Sequence, residues 1–317
     1  MAHIVETMAY AGEVPWHGLG KKVLPDLTPD QMLVEAGLDW EVETHPLTYR
    51  YNGDNHASGE QALIRSSDGK YLSTISDDWN PVQNHTAFEF FNDFVMAGDM
   101  EMNTAGSLKD GKMVWALAKV KDTFEVMKGD TVESYLLFSN PHEYGKCIDI
   151  RFTPIRVVCN NTLTLAVNTA ADRVVRKNHR APFDADSVKD MLGIAHKKME
   201  IYKETAQFLS SKRFHPADIN SYFGQVFPSM SKKYADAVLV DSTLSRPAKE
   251  AKSFLDEQPG AEYGEGSFWQ LFNAATYYID HKAGRSDDTR LTSAWYGSNA
   301  QKKIAALNTA VEMAEVA

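Results

Sequence analysis

Cysteine is nearly absent from this chain: its 317 residues include two, Cys147 and Cys159. That excludes a disulfide-stapled scaffold. It also excludes a zinc ribbon, because the pair is twelve residues apart with no histidine at finger spacing. Cys159 reads as a small buried residue. Long apolar runs and a signal peptide are missing too, so the expectation is a cytoplasmic protein without membrane contact. Positive charge is scarce: 33 Lys and Arg stand against 43 Asp and Glu, for a formal net charge of -10. A globally basic nucleic-acid binder is excluded, but a local basic groove is not.

Catalytic signatures are also missing. Gly18-Leu19-Gly20-Lys21 resembles a phosphate loop only superficially. Pro15 stands where the first glycine is required, and Lys22 replaces the hydroxyl residue. There is no G-x-S-x-G elbow, no serine–lysine set and no H-x-x-x-H pair among the ten histidines. Asp77-Asp78 reads as a turn before Trp79, not as half of a two-metal site. The pattern leans away from an enzyme and predicts no cofactor and no metal. An unrecognised site built from Trp16, His17, Arg151 and Arg156 stays open as an alternative.

What is present is enough to fold. Hydrophobic residues make up 43% and aromatics 11% of the chain, which supplies a sizeable core. Residues 1–25 read as an ordered, irregular arm. Thr28-Pro29-Asp30 opens a short helix, with Thr28 as N-cap and Gly37 as its end. Alternation predicts strands over 40–51, 62–65 and 71–75, with Asp68-Gly69 turning the last pair. Phe88, Phe91, Phe94 and Val95 predict one amphipathic helix over 84–96. Strands are expected over 113–120, 132–139 and 147–159, then a helix over 161–171. From 183 onward the chain reads as helices near 186–210, 216–224, 232–239, 246–257, 268–281 and 298–314. The expected fold class is α+β: residues 1–182 form a mixed domain with an antiparallel sheet and flanking helices, and 183–317 a helical region.

The basic residues carry the functional reading. Arg151, Arg156, Arg173, Arg176, Lys177 and Arg180 cluster on the last strand and its continuation in an otherwise acidic protein. Such a stripe suits a phosphate backbone. The lysines of the helix over 186–210 read instead as its solvated face. Phe152, Phe183, Tyr202 and Phe214 lie in the same part of the sequence and are candidates for base stacking, with core packing as the default.

Four blocks carry a family resemblance: ETMAYAGEVPWHGLGKKV, DDWNPVQNHTAFEFFNDFV, FTPIRVVCNNTLTLA and RLTSAWYGSNAQKKIAALNTA. Together they resemble the phage/plasmid-like protein family that carries domain of unknown function 932. The resemblance implies a bacterial cytoplasmic setting and no established activity. The order of a helix over 84–96, three strands over 113–159 and a helix over 161–171 also resembles the core of RecT-type single-strand annealing proteins, at the level of topology. The expectation drawn from this is a phage- or plasmid-encoded protein that binds single-stranded DNA and promotes annealing or recombination as a homo-oligomer. The alternative is a phage protein that binds a host protein or small molecule, such as a defence inhibitor.

Overall fold

The alternating segments of the first half pair into two sheets. The structure is a computed structural model. It describes residues 5–12, 19–156, 158, 161–162, 175–177, 179, 199–229, 240–284, 290, 293–295 and 297–317. For Asp122, Arg156, 161–162 and 175–177 it describes the backbone alone. The strands are β1 (Val5–Ala11), β2 (Lys21–Val23), β3 (Val42–Tyr51), β4 (Asp54–Arg65), β5 (Lys70–Ser76), β6 (Met100–Leu108), β7 (Met113–Met127), β8 (Asp130–Pro141), β9 (Ile148–Arg156), β10 (Asn161–Thr162) and β11 (Val175–Lys177).

One sheet runs in the order β10-β9-β8-β7-β6-β1-β2, and β11 also pairs with β9; β3-β4-β5 form a second sheet. The protein is α+β, with an antiparallel-rich sheet and helices in the first half and helices in the second. The connections after β7 and β8, two and six residues long, are too short for a parallel crossover, so these strands run antiparallel. Lys109, Asp110 and Gly111 all take positive φ in the turn between β6 and β7.

The N-terminal arm differs from expectation. Its residues 5–11 form β1, paired antiparallel with β6, and β2 pairs parallel with β1. Gly106 on β6 permits this close approach, because a Cβ there would collide with the Thr7 carbonyl. Asn161–Thr162, expected to open a helix, instead pair with Arg156 and Ile155 as β10. The rest of that expected helix, the helix over 232–239 and the division at 182/183 lie outside the described residues.

Contacts divide the chain into two compact units. The first holds the residues up to Lys121, Tyr135–Phe152 and the described residues between Ala171 and Ala195. Helix α1 (Pro29–Glu35) begins with a full capping box: Thr28 Oγ1 accepts from Gln31 N, and Gln31 Oε1 accepts from Thr28 N. The helix expected over 84–96 is broken into α2 (Asn84–Glu89) and α3 (Asn92–Met96). The cause is the adjacent pair Phe90 and Phe91, both fully buried. Their rings pack on Phe138 with centroids 5.6 and 6.1 Å away, which one regular helix face cannot achieve for two successive residues.

The second unit holds Asp122–Ser134, the described part of Thr153–Ala170, and the chain from His196 on. Its helices are α4 (residues 199–211), α5 (Pro216–Val226), α6 (Arg246–Ser253), α7 (Phe268–Tyr277) with a π turn over Tyr278–Lys282, and α8 (Ser298–Glu315). Trp269, Phe272, Tyr222 and Leu307 fill its core. Two polar contacts are locked inside it. Trp269 Nε1 donates to Asp130 at 2.8 Å, and Lys303 Nζ meets Asp280 at 3.0 Å with both side chains almost wholly buried. Among the described residues no helix is long and apolar enough to cross a membrane.

Candidate functional site

The sheet brings part of the basic cluster to one edge. On β9, Ile148, Asp149 and Ile150 pair antiparallel with Lys177, Arg176 and Val175 of β11. Arg176 and Lys177 therefore stand in register beside the strand that carries Arg151. Arg151 is 21% exposed, and Asp149 holds it by two hydrogen bonds, at Nε and at the terminal nitrogen. Its charge is thereby largely compensated in place. Arg156 ends β9, with its backbone paired to Asn161, and belongs to the second unit. Arg173 and Arg180 lie outside the described residues, as do Trp16, His17, Cys159 and Phe183.

The described stacking candidates pack against the protein. Phe152 and Tyr202 are buried at 7% and 2% exposure, and the Phe214 ring packs edge-on against Phe268. Exposed rings occur elsewhere, on the β3–β4 ribbon. Residues 43–60 are exposed on both faces apart from Leu47. Tyr49 and His56 face each other across the ribbon with ring centroids 5.5 Å apart, and Tyr51 lies 6.3 Å from His56. A signal existed in the Asn52-Gly53 turn, where both residues take positive φ as a tight hairpin requires.

A second feature that the sequence did not reveal is a buried polar seam in the first unit. The segment 80–84 follows Asp77-Asp78-Trp79. Asn140 Nδ2 donates to Val82 O at 2.8 Å. Asn84 Nδ2 donates to the carbonyls of Leu38 and Trp40, so its Oδ1 accepts from His142 Nε2, 2.9 Å away. His179 stacks on Trp79 at 4.0 Å and donates from Nδ1 to Asn80 O. These partners set the tautomer of each imidazole, and burial keeps both rings neutral. Burial pushes His142 down to about 3, helped by the nearby His179. Burial also pushes His179 down to about 4, against the opposing Asn80 hydrogen bond. Among the described residues no group of three His, Cys, Asp or Glu could hold a metal ion. The seam positions a loop.

A charged knot closes the same unit. Arg65, 7% exposed, donates two bonds to Glu6 and two to Asp68 and lies over the Trp40 ring. Its hydrogen bonds hold Asp68 down at about 2.

The family model for a domain of unknown function, DUF932, matches residues 71–295, well over half of the chain. The chain belongs to the DUF932 family. The DUF932 match runs from β5 to the residues just before α8 and includes the polar seam and the basic sheet edge. The ribbon strands β3 and β4 precede it. No curated protein and no solved structure matches the chain.

Proposed function

We propose that this DUF932 protein binds single-stranded DNA and promotes its annealing or recombination. It would act as a homo-oligomer in the cytoplasm of a bacterium that carries phage or plasmid sequences. The observation that carries this reading is the pairing of β11 with β9, which sets Arg176 and Lys177 beside the strand bearing Arg151. Cations at a sheet edge suit a phosphate backbone and need no base-specific contact. Because Asp149 occupies Arg151, the phosphate contacts fall mainly to Arg176 and Lys177, with Arg156, Arg173 and Arg180 further along the chain. The exposed Tyr49, Tyr51 and His56 supply flat faces of the kind on which unpaired bases stack.

A second reading is a protein partner. It is favoured by the same ribbon, whose exposed residues include Glu43, Asp54 and Glu60 against a single arginine, Arg50. Gel shifts with single- and double-stranded oligonucleotides at low salt separate the two. A shift with the single strand supports the first reading. No shift, together with a co-purifying host protein, supports the second.

A further inference from the structure

The polar seam of the first unit holds three unused lone pairs. Asn140 Oδ1, His142 Nδ1 and His179 Nε2 are buried and accept no hydrogen bond from any described residue. The three residues are 0%, 0% and 2% exposed. Each already donates to the segment 80–84. His179 Nδ1 donates to Asn80 O, Asn140 Nδ2 to Val82 O, and His142 Nε2 to Asn84 Oδ1. The atom left over in each case is an acceptor. A buried acceptor without a donor is costly, and three in one seam point to a shared partner.

The backbone gathers these residues. Asn80 and Val82 are two positions apart, as are Asn140 and His142. Two residues of extended chain span about 7 Å and face the same side. Pro81 favours extended backbone at Asn80, and Gln83 is extended, with φ -65° and ψ 149°. His142 N donates to Lys112 O, which carries the β7–β8 pairing on through that residue. The His142 and His179 rings lie within electrostatic reach of each other. Indoles flank both: Trp40 meets His142 edge-on at 5.4 Å, and Trp79 stacks on His179 at 4.0 Å.

The chemistry of the set narrows the partner. A water molecule has two protons and leaves one of three acceptors unmet. A metal ion takes all three lone pairs. Both imidazoles also show the arrangement that metal-binding histidines use, with one nitrogen donating to a fixed oxygen and the other left as a lone pair. The Asn84 oxygen is fixed because its amide nitrogen bonds the Leu38 and Trp40 carbonyls. Two nitrogen ligands suit zinc and copper, whereas calcium and magnesium take oxygen ligands.

We infer that Asn140 Oδ1, His142 Nδ1 and His179 Nε2 form a binding site for a late first-row transition-metal ion of the zinc or copper class. Three protein ligands leave one tetrahedral position for water or an added ligand. The sequence predicted no metal because the two histidines are far apart in the chain and the third ligand is an amide. The oxygens that orient the ligands, on Asn80, Val82 and Asn84, all belong to the block DDWNPVQNHTAFEFFNDFV, which gives that block a physical task. The inference goes beyond strand binding at the sheet edge and does not require it.

The ligands are buried, so the test supplies the metal while the full chain refolds from urea. The probes are Zn²⁺, Co²⁺, Cu⁺ kept reduced, and Mg²⁺, each followed by chelating resin. Elemental analysis should find one equivalent of zinc or copper retained per chain, no magnesium, and a raised melting temperature. Cobalt should quench tryptophan fluorescence through Trp40 and Trp79. His142→Gln keeps a donor toward Asn84, and His179→Asn keeps one toward Asn80. Each should weaken zinc binding about tenfold or more, with the circular dichroism spectrum unchanged. X-ray absorption of the zinc-loaded parent should show imidazole scattering, a readout that needs no variant to fold. The inference is overturned if the parent keeps no zinc or copper after chelation. Imidazole-free scattering, or folded variants that hold zinc as the parent does, would overturn it equally.

Discussion

Acid should unfold the first unit earlier than its carboxylates require, because His142 and His179 are buried in neutral form. Both have an ordinary value of 6.5, lowered in the fold to about 3 and about 4. In the unfolded chain each ring takes a proton near 6.5, whereas in the fold it resists. The unfolded state therefore binds more protons across this window, and stability falls as pH falls. The stabilising contribution is complete above 6.5 and is lost on acidification, and the loss levels off only below about 4 and then 3. Each ring costs about 1.4 kcal/mol per pH unit. At about pH 5 that is about 2 kcal/mol per ring and about 4 kcal/mol for the pair. This figure does not depend on the depth of the shift, since both rings stay neutral in the fold at that pH. Asp68 joins only below its ordinary value of 3.8, so its loss falls in a separate window. Urea titrations across this range, followed by tryptophan fluorescence, measure the effect. His142→Asn and His179→Gln should each remove about half of the pH slope. Equal slopes in the parent and both variants would refute the argument.

Two further outcomes follow from packing. Lys303→Met removes the buried ammonium that meets Asp280 and should cost about 3–5 kcal/mol; Asp280→Asn added to it should recover part of the loss, read as melting temperature. Gly106→Ala should unpair β1 from β6, seen as faster amide exchange in residues 5–11, because the new methyl group collides with the Thr7 carbonyl.

The features legible in the sequence were those written locally. Thr28 and Gln31 lie three residues apart, and the capping box they form needs no knowledge of the rest of the fold. Asp68-Gly69 and Lys109-Asp110-Gly111 likewise announce their turns, with positive φ at Gly69, Lys109, Asp110 and Gly111. What failed depended on distant partners. The phenylalanine spacing suggested one helix, but Phe90 and Phe91 both turn toward Phe138 on β8. The distal half of β4, Asp54–Gln61, is polar on both faces, so no alternation marked it. Lys302 and Lys303 look alike as neighbours, yet Lys303 is buried against Asp280, 23 residues earlier, while Lys302 stays exposed. Among the basic residues, the sequence grouped six by proximity along the chain. Pairing of β11 with β9 sets two of them beside Arg151, and the same strand supplies Asp149, which offsets that arginine.

The central claim, strand binding at the β9–β11 edge, is tested most directly by the salt dependence of single-strand affinity. Fluorescence anisotropy with a labelled oligonucleotide would be followed upward from about 50 mM salt, where phosphate contacts are strongest, for the parent and for Arg176→Ala/Lys177→Ala. Each lost phosphate contact should lower the slope of log affinity against log salt by about 0.7, so the double variant should lose about 1.4. The parent should prefer single strands and show little sequence preference. An oligomeric parent protein that binds no oligonucleotide at the lowest salt, or a double variant with an unchanged slope, would contradict the assignment of this edge to DNA.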